Sequence, residues 1–135
     1  MNLQGTSLIG NETGSGSESP IQGINPVTGE TLKPPYPSTT EAEVGRACDL
    51  ARKAFGTTSG LSGKDKAAFL REIADNIEAI VEDLVIRTTA ETGLPEPRIR
   101  METGRTSGQL RLFASLVEEG SWVDARIDRA NPDRQ

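Results

Sequence analysis

Few residues in this chain have the type and spacing that covalent chemistry needs. Its 135 residues include one cysteine, Cys48, and no histidine, so the commonest general base and the commonest zinc ligand are both missing. Cys48 falls on one helical stripe with Val44, Ala47, Ala51 and Phe55, and has no neighbouring histidine or basic pair to lower its pKa. That setting predicts a buried structural thiol rather than a nucleophile. Ser59-Gly60-Leu61-Ser62-Gly63-Lys64-Asp65 has some of the features of a phosphate loop. The motif needs a glycine five residues before its second glycine and a hydroxyl after its lysine, but Thr58 and Asp65 occupy those places. Arg100 and Arg111 lie on one side of a helix and could hold an anion; a solvated or ion-paired face is the plainer reading. Asn11-Glu12-Thr13 matches a glycosylation acceptor, which has meaning only behind a secretory signal. No catalytic, cofactor-binding or metal-ligating residue is assigned from these candidates.

The elements that position these side chains begin with an extended arm. Ser7-Leu8-Ile9-Gly10 reads as a short strand, residues 11–19 as a flexible turn or loop, and Ile21-Gln22-Gly23-Ile24-Asn25 as a second extended run. Residues 25–30 form a turn, because Pro26 fixes its own φ and Gly29 tolerates positive φ, and Thr31-Leu32 returns as the other side of it. Pro34, Pro35 and Pro37 exclude a central strand beyond that point.

Helices follow. Thr40 and Glu43 have capping-box spacing at the start of a helix that Gly56 and Gly60 close. Ser62 and Asp65 start a second, with Ala67, Leu70, Ile73, Ala74, Ile77, Ile80, Val81 and Leu84 on one side and Gly93 and Pro95 at its end. Unbroken, it would be about 45 Å long, so a bend or break is expected near residues 79–83. Pro95 and Pro97 suit the first turn of the next helix, whose stripe is Ile99, Thr103, Thr106, Leu110, Phe113 and Val117 and which ends near Gly120. Gly104 and Gly108 lie on another face with Ser107, Arg111 and Ser115; their spacing fits either a close backbone approach or an unexploited exposed face. Residues 121–128 then alternate like a strand, with Trp122, Asp124, Arg126 and Asp128 on one side and Val123, Ala125 and Ile127 on the other.

Composition bounds what this frame can do. The length suits one domain, but Leu, Ile, Val and Phe make up only about a fifth of the chain, close to the level at which highly charged chains tend towards disorder. The core must therefore be small or shared, and three helices are not expected to cover every apolar stripe. A net charge of -5, with basic and acidic residues interspersed, argues against nucleic acid or an anionic membrane surface as partner. No run reaches the length of a membrane span, and the first residues lack the regions of a secretory signal, so the cytoplasm is the expected location. The fold class expected is mainly α with short N-terminal and C-terminal β-strands.

Four stretches together resemble the N-terminal part of an aldehyde dehydrogenase. They are Ile24-Asn25-Pro26-Val27-Thr28-Gly29-Glu30, the helix ending Ala54-Phe55, Phe69-Leu70-Arg71-Glu72-Ile73-Ala74-Asp75-Asn76-Ile77-Glu78, and Glu91-Thr92-Gly93-Leu94-Pro95. Gly104-Arg105-Thr106, Gln109-Leu110-Arg111-Leu112-Phe113-Ala114 and Trp122-Val123-Asp124-Ala125-Arg126-Ile127-Asp128 look most like the branch that acts on 2,5-dioxovalerate (α-ketoglutarate semialdehyde) and related aldehydes with NADP or NAD. The resemblance implies three parts of the family's α/β fold: a hairpin and loop arm at residues 1–40, helices on the periphery of the nucleotide-binding domain at 41–120, and the start of the oligomerisation hairpin at 121–135. It also implies that the thiolate nucleophile, the glutamate base, the oxyanion-stabilising asparagine and the coenzyme's glycine loop lie later in such proteins. None of those motifs occurs here, and Cys48 does not stand in the nucleophile's context. The expectation is an inactive fragment, with no cofactor of its own, whose partners are the rest of the parent polypeptide or further copies of it. The competing expectation is a freestanding helical interaction module that has lost the chemistry.

Overall fold

The computed structural model describes residues 3–17 and 19–126. Two antiparallel strand pairs of two residues each make up the arm: β1 (Leu8–Ile9) with β2 (Glu12–Thr13), and β3 (Pro20–Ile21) with β4 (Tyr36–Pro37). Residues 12–13, expected in a loop, are thus strand, because Gly10 at φ 64° turns the chain back on itself. Pro37 does sit in a strand, but in a two-stranded pair, where edge positions tolerate a missing N–H. Between β3 and β4, Ile24 bridges Thr31 across the expected turn, and the Asn25 side chain accepts from the Val27 amide at 2.9 Å.

Helix α1 (Glu41–Ser59) carries the expected capping box. The Thr40 hydroxyl accepts from the Glu43 amide while the Glu43 carboxylate accepts from the Thr40 amide at 2.9 Å. The helix runs through Gly56 and stops at Gly60, and it buries no residue. Its apolar stripe is uncovered, with Val44 51% and Phe55 70% exposed. Cys48 is exposed as well, which corrects the buried-thiol expectation. The stripe is real, but no neighbouring element lies across it.

Helices α2 (Gly63–Ala79), α3 (Val81–Thr92) and α4 (Glu96–Glu119) form the packed part of the molecule. Ser62 caps α2, the expected break falls at Ile80, and Gly93 ends α3 at φ 72° in the left-handed region. Pro95 is the N-cap of α4 and Pro97 lies in its first turn. Helices α2 and α4 run antiparallel along each other. Their seam is lined by small side chains, Ala67 and Ala74 from α2 with Ser107 and Ala114 from α4, all essentially inaccessible; Val85, Ile99 and, in β1, Ile9 are the other buried apolar residues described. Small residues let the two backbones approach closely. The closest approach is at Gly63, where an added Cβ would collide with the Val117 carbonyl oxygen. Gly104 and Gly108 face open space, so of their two readings the exposed face holds. The buried side of α4 is correspondingly rotated from the expected stripe: Ser107 and Ala114 are inside, whereas Thr106 and Phe113 are exposed. Close packing selected the small residues over the large one.

The expected C-terminal strand is not present among the described residues. Gly120, at φ 84°, ends α4, Ser121–Val123 is a 3-10 turn, and Asp124 adopts φ 48°. The alternation at 121–126 finds no strand edge to pair with, and a lone strand leaves its backbone groups unsatisfied. Ile127 and Asp128 lie outside the described residues. The chain is therefore mainly helical with a few short strands, which among the described residues all lie in the arm. Among the described residues, no helix is long and apolar enough to cross a membrane.

Candidate functional site

Each sequence candidate has a definite place. The phosphate-loop look-alike is a helix cap: the Ser62 hydroxyl accepts from the Asp65 amide at 3.1 Å and donates to the Asp65 carboxylate at 2.6 Å. The start of α1 is filled in the same way by Thr40 and Glu43, and α4 opens on Pro95-Glu96-Pro97. These three helix starts already hold their own side chains or lack donors, so none of them presents a cradle of free amides to a phosphate.

The two candidate anion-binding arginines are ion-paired. Arg111 donates from Nη2 to Asp75 at 2.8 Å and to Glu78 at 2.7 Å, tying α4 to α2. Arg100 makes a two-pronged contact with Glu82 of α3 at 2.6 and 2.8 Å, which raises the arginine's pKa and lowers that of the glutamate. Arg71 and Glu118 add a third cross-helix pair at 2.5 Å. The sequence spacing placed Arg100 and Arg111 on one side of the helix, but only the antiparallel neighbours reveal their partners. Asn11, in the glycosylation-like triplet, is exposed at the tip of the β1–β2 hairpin, where Glu12 pairs with Arg46 of α1.

Glu43 joins the arm to the helices. Its carboxylate accepts from the Thr40 amide, the Gly16 amide at 3.2 Å and the Ser15 amide at 2.7 Å, and from the Thr40 hydroxyl. Donation by the Thr40 and Gly16 backbone, then by the Thr40 hydroxyl, holds its pKa down to about 2, with desolvation opposing only in part.

Two surface clefts are larger than the others described. One, of about 480 Å³, is lined by Leu3, Lys33, Pro34, Asp83, Ile86, Arg87 and Ala90 between the arm and α3. The other, of about 490 Å³, lies along the outward face of α4 and is lined by Arg105, Thr106, Gln109, Leu110 and Phe113. Sequence reasoning passed over Arg105. The available signal was its i, i+4, i+8 row with Gln109 and Phe113, which a search for apolar stripes does not score. Among the described residues, no group of three histidine, cysteine, aspartate or glutamate side chains could hold a metal ion.

Comparison with known proteins accounts for this arrangement. The family model described as "Aldehyde dehydrogenase family" matches residues 13–131. Alpha-ketoglutaric semialdehyde dehydrogenase 2 of Azospirillum brasilense is 44% identical over 135 residues, spanning 99% of this chain and 26% of that protein. Alpha-ketoglutaric semialdehyde dehydrogenase of Acinetobacter baylyi is 36% identical over 131 residues, 97% of this chain and 25% of its own length. 5-Carboxymethyl-2-hydroxymuconate semialdehyde dehydrogenase of Escherichia coli is 32% identical over 96 residues, 70% of this chain and 20% of its own. The chain thus spans about a quarter of the length of the first two relatives. A family match across all four α-helices and most of the arm leaves one conclusion: the chain belongs to the aldehyde dehydrogenase family.

Proposed function

We propose that these residues are the N-terminal helical segment of a dehydrogenase that oxidises a semialdehyde to a carboxylate with NADP or NAD, with 2,5-dioxovalerate as the foremost substrate. The observation that carries this reading is the 44% identity with the A. brasilense α-ketoglutaric semialdehyde dehydrogenase across 99% of the chain. A semialdehyde of this kind keeps a carboxylate at the end away from the reacting aldehyde, so the substrate class is a short, anionic aldehyde. In such enzymes a thiolate attacks the aldehyde, hydride passes to the nicotinamide and water releases the acid. This chain's residues are assigned none of those steps. The starts of α1 and α2 are filled by their own caps, and the described strands are two-residue antiparallel pairs, a poor fit to a coenzyme's pyrophosphate.

The role proposed for the segment is structural. Helices α2 to α4 form a preassembled pad, and the uncovered faces of α1 and α4 receive the rest of a cytoplasmic polypeptide. Residues 121–135 would begin the contact between subunits. In a chimera, this chain would replace the matching quarter of the A. brasilense enzyme, and reduced coenzyme would be followed with 2,5-dioxovalerate. Turnover close to that of the unmodified enzyme is expected, and a folded but inactive chimera would reject the reading. The isolated chain, titrated with NADP in a calorimeter, is expected to give no saturable heat, and micromolar binding would overturn the structural role.

A second reading, a freestanding helical interaction module, is favoured by the fact that α2 to α4 already bury Ala74, Val85 and Ala114 without help. An inactive chimera together with a sharply melting, monomeric isolated chain would select it.

A further inference from the structure

Of the described arginines, Arg105 alone has no carboxylate within ion-pairing distance. Several acids of α2, α3 and α4 are engaged by other arginines: Glu102 by Arg98 at 2.6 Å, Asp75 and Glu78 by Arg111, and Glu82 by Arg100. Arg105 also lines the α4 cleft, where Gln109 and Phe113 continue its row at i+4 and i+8 and Thr106 and Leu110 lie alongside. A guanidinium without an acid therefore stands beside an amide, a hydroxyl and two apolar side chains.

We infer that Arg105 is the residue of this chain that holds the carboxylate of the semialdehyde substrate, an assignment that rests on the function proposed above. Three physical points support it. The planar guanidinium can meet both oxygens of a carboxylate at once, which a lysine cannot. The Gln109 amide lines the same cleft and brings two N–H donors, whereas the Thr106 hydroxyl already donates to the Glu102 carbonyl at 3.0 Å. Leu110 and Phe113 supply an apolar wall, so covering this face with the remainder of the polypeptide would exclude water and strengthen the pair. Each of the other described arginines already has a carboxylate of this chain within ion-pairing distance.

The test uses the chimera with Arg105→Ala and Arg105→Lys, assayed with 2,5-dioxovalerate and with pentanal, an uncharged aldehyde of the same chain length. Loss of a charge-assisted contact is expected to raise KM for 2,5-dioxovalerate about tenfold or more in Arg105→Ala, with kcat changed less than about twofold. Pentanal kinetics should not move, and Arg105→Lys should restore part of the loss. Equal changes for both aldehydes, an unchanged KM, or a shift in the KM for NADP instead would overturn the assignment, the last by pointing to the coenzyme's phosphate. If the unsubstituted chimera oxidises neither aldehyde, the proposed function fails and takes this assignment with it. If it oxidises both and Arg105→Ala matches it, only the role of Arg105 falls.

Discussion

Helices α1 and α2 begin with the same device, a hydroxyl cap on an extended residue followed by an acid in the first turn, yet one buries nothing and the other buries two alanines completely. The difference lies in what faces them. Along α2 runs the antiparallel α4, whose Ser107 and Ala114 are small enough for the two backbones to close up. Along α1 lies only the arm, attached through Glu43 to Ser15 and Gly16 and through Arg46 to Glu12. A cap decides whether a helix starts; a partner decides whether its stripe becomes core. All three phenylalanines, Phe55, Phe69 and Phe113, are exposed, whereas small residues fill the α2–α4 seam.

The sharpest way to break that contrast is to place bulk at the seam. Ala114→Phe, at a fully buried position, is expected to destabilise the chain by about 2–3 kcal/mol through overpacking. Phe55→Ser, on the uncovered stripe of α1, should stay within about 0.5 kcal/mol. Urea melts of the two variants measure both, and comparable losses would mean that α1 is covered after all.

The glycines offer the next largest effect, with opposite signs. Gly63→Ala meets the Val117 carbonyl and should cost about 1 kcal/mol or more. Gly104→Ala, in open space within α4, should instead gain up to about 1 kcal/mol from helix propensity. Thermal melts would sharpen the map of where backbones touch; a stabilising Gly63→Ala would rule out the tight α2–α4 crossing.

The smallest effect is local and confined to the arm. The folded pKa of Glu43, about 2, lies below its usual value of 4.5, so its contribution is complete above 4.5 and is lost as pH falls towards 2. Hydrogen-exchange protection of the Ser15 and Gly16 amides should fall across that window. Glu43→Gln should reproduce part of this loss at neutral pH and leave the melting of α2 to α4 unchanged. If protection of α2 fell together with that of the arm, the two regions would be one cooperative unit.

Local chemistry made much of this fold legible beforehand. The Thr40 and Ser62 caps, the break at Ile80, the left-handed stops at Gly93 and Gly120 and the turn at Asn25 each depend on interactions within a few residues, so the sequence by itself determined them. So did membership of the family, because order and spacing survive in the chain whether or not it is folded. Only the tertiary structure decided which faces are covered. Cys48 was expected inside and lies outside, Phe113 gave way to Ala114, and Gly63 rather than Gly104 marks the close approach, because each depends on an element distant in sequence. Trp122 and Val123 followed the turn set by Gly120 instead of their alternation, since a strand requires an edge that residues 121–126 do not find. The same holds for charge. The sequence places nine arginines among the described residues, but only the packing of α4 against α2 and α3 gives Arg71, Arg100 and Arg111 their carboxylates and leaves Arg105 without one.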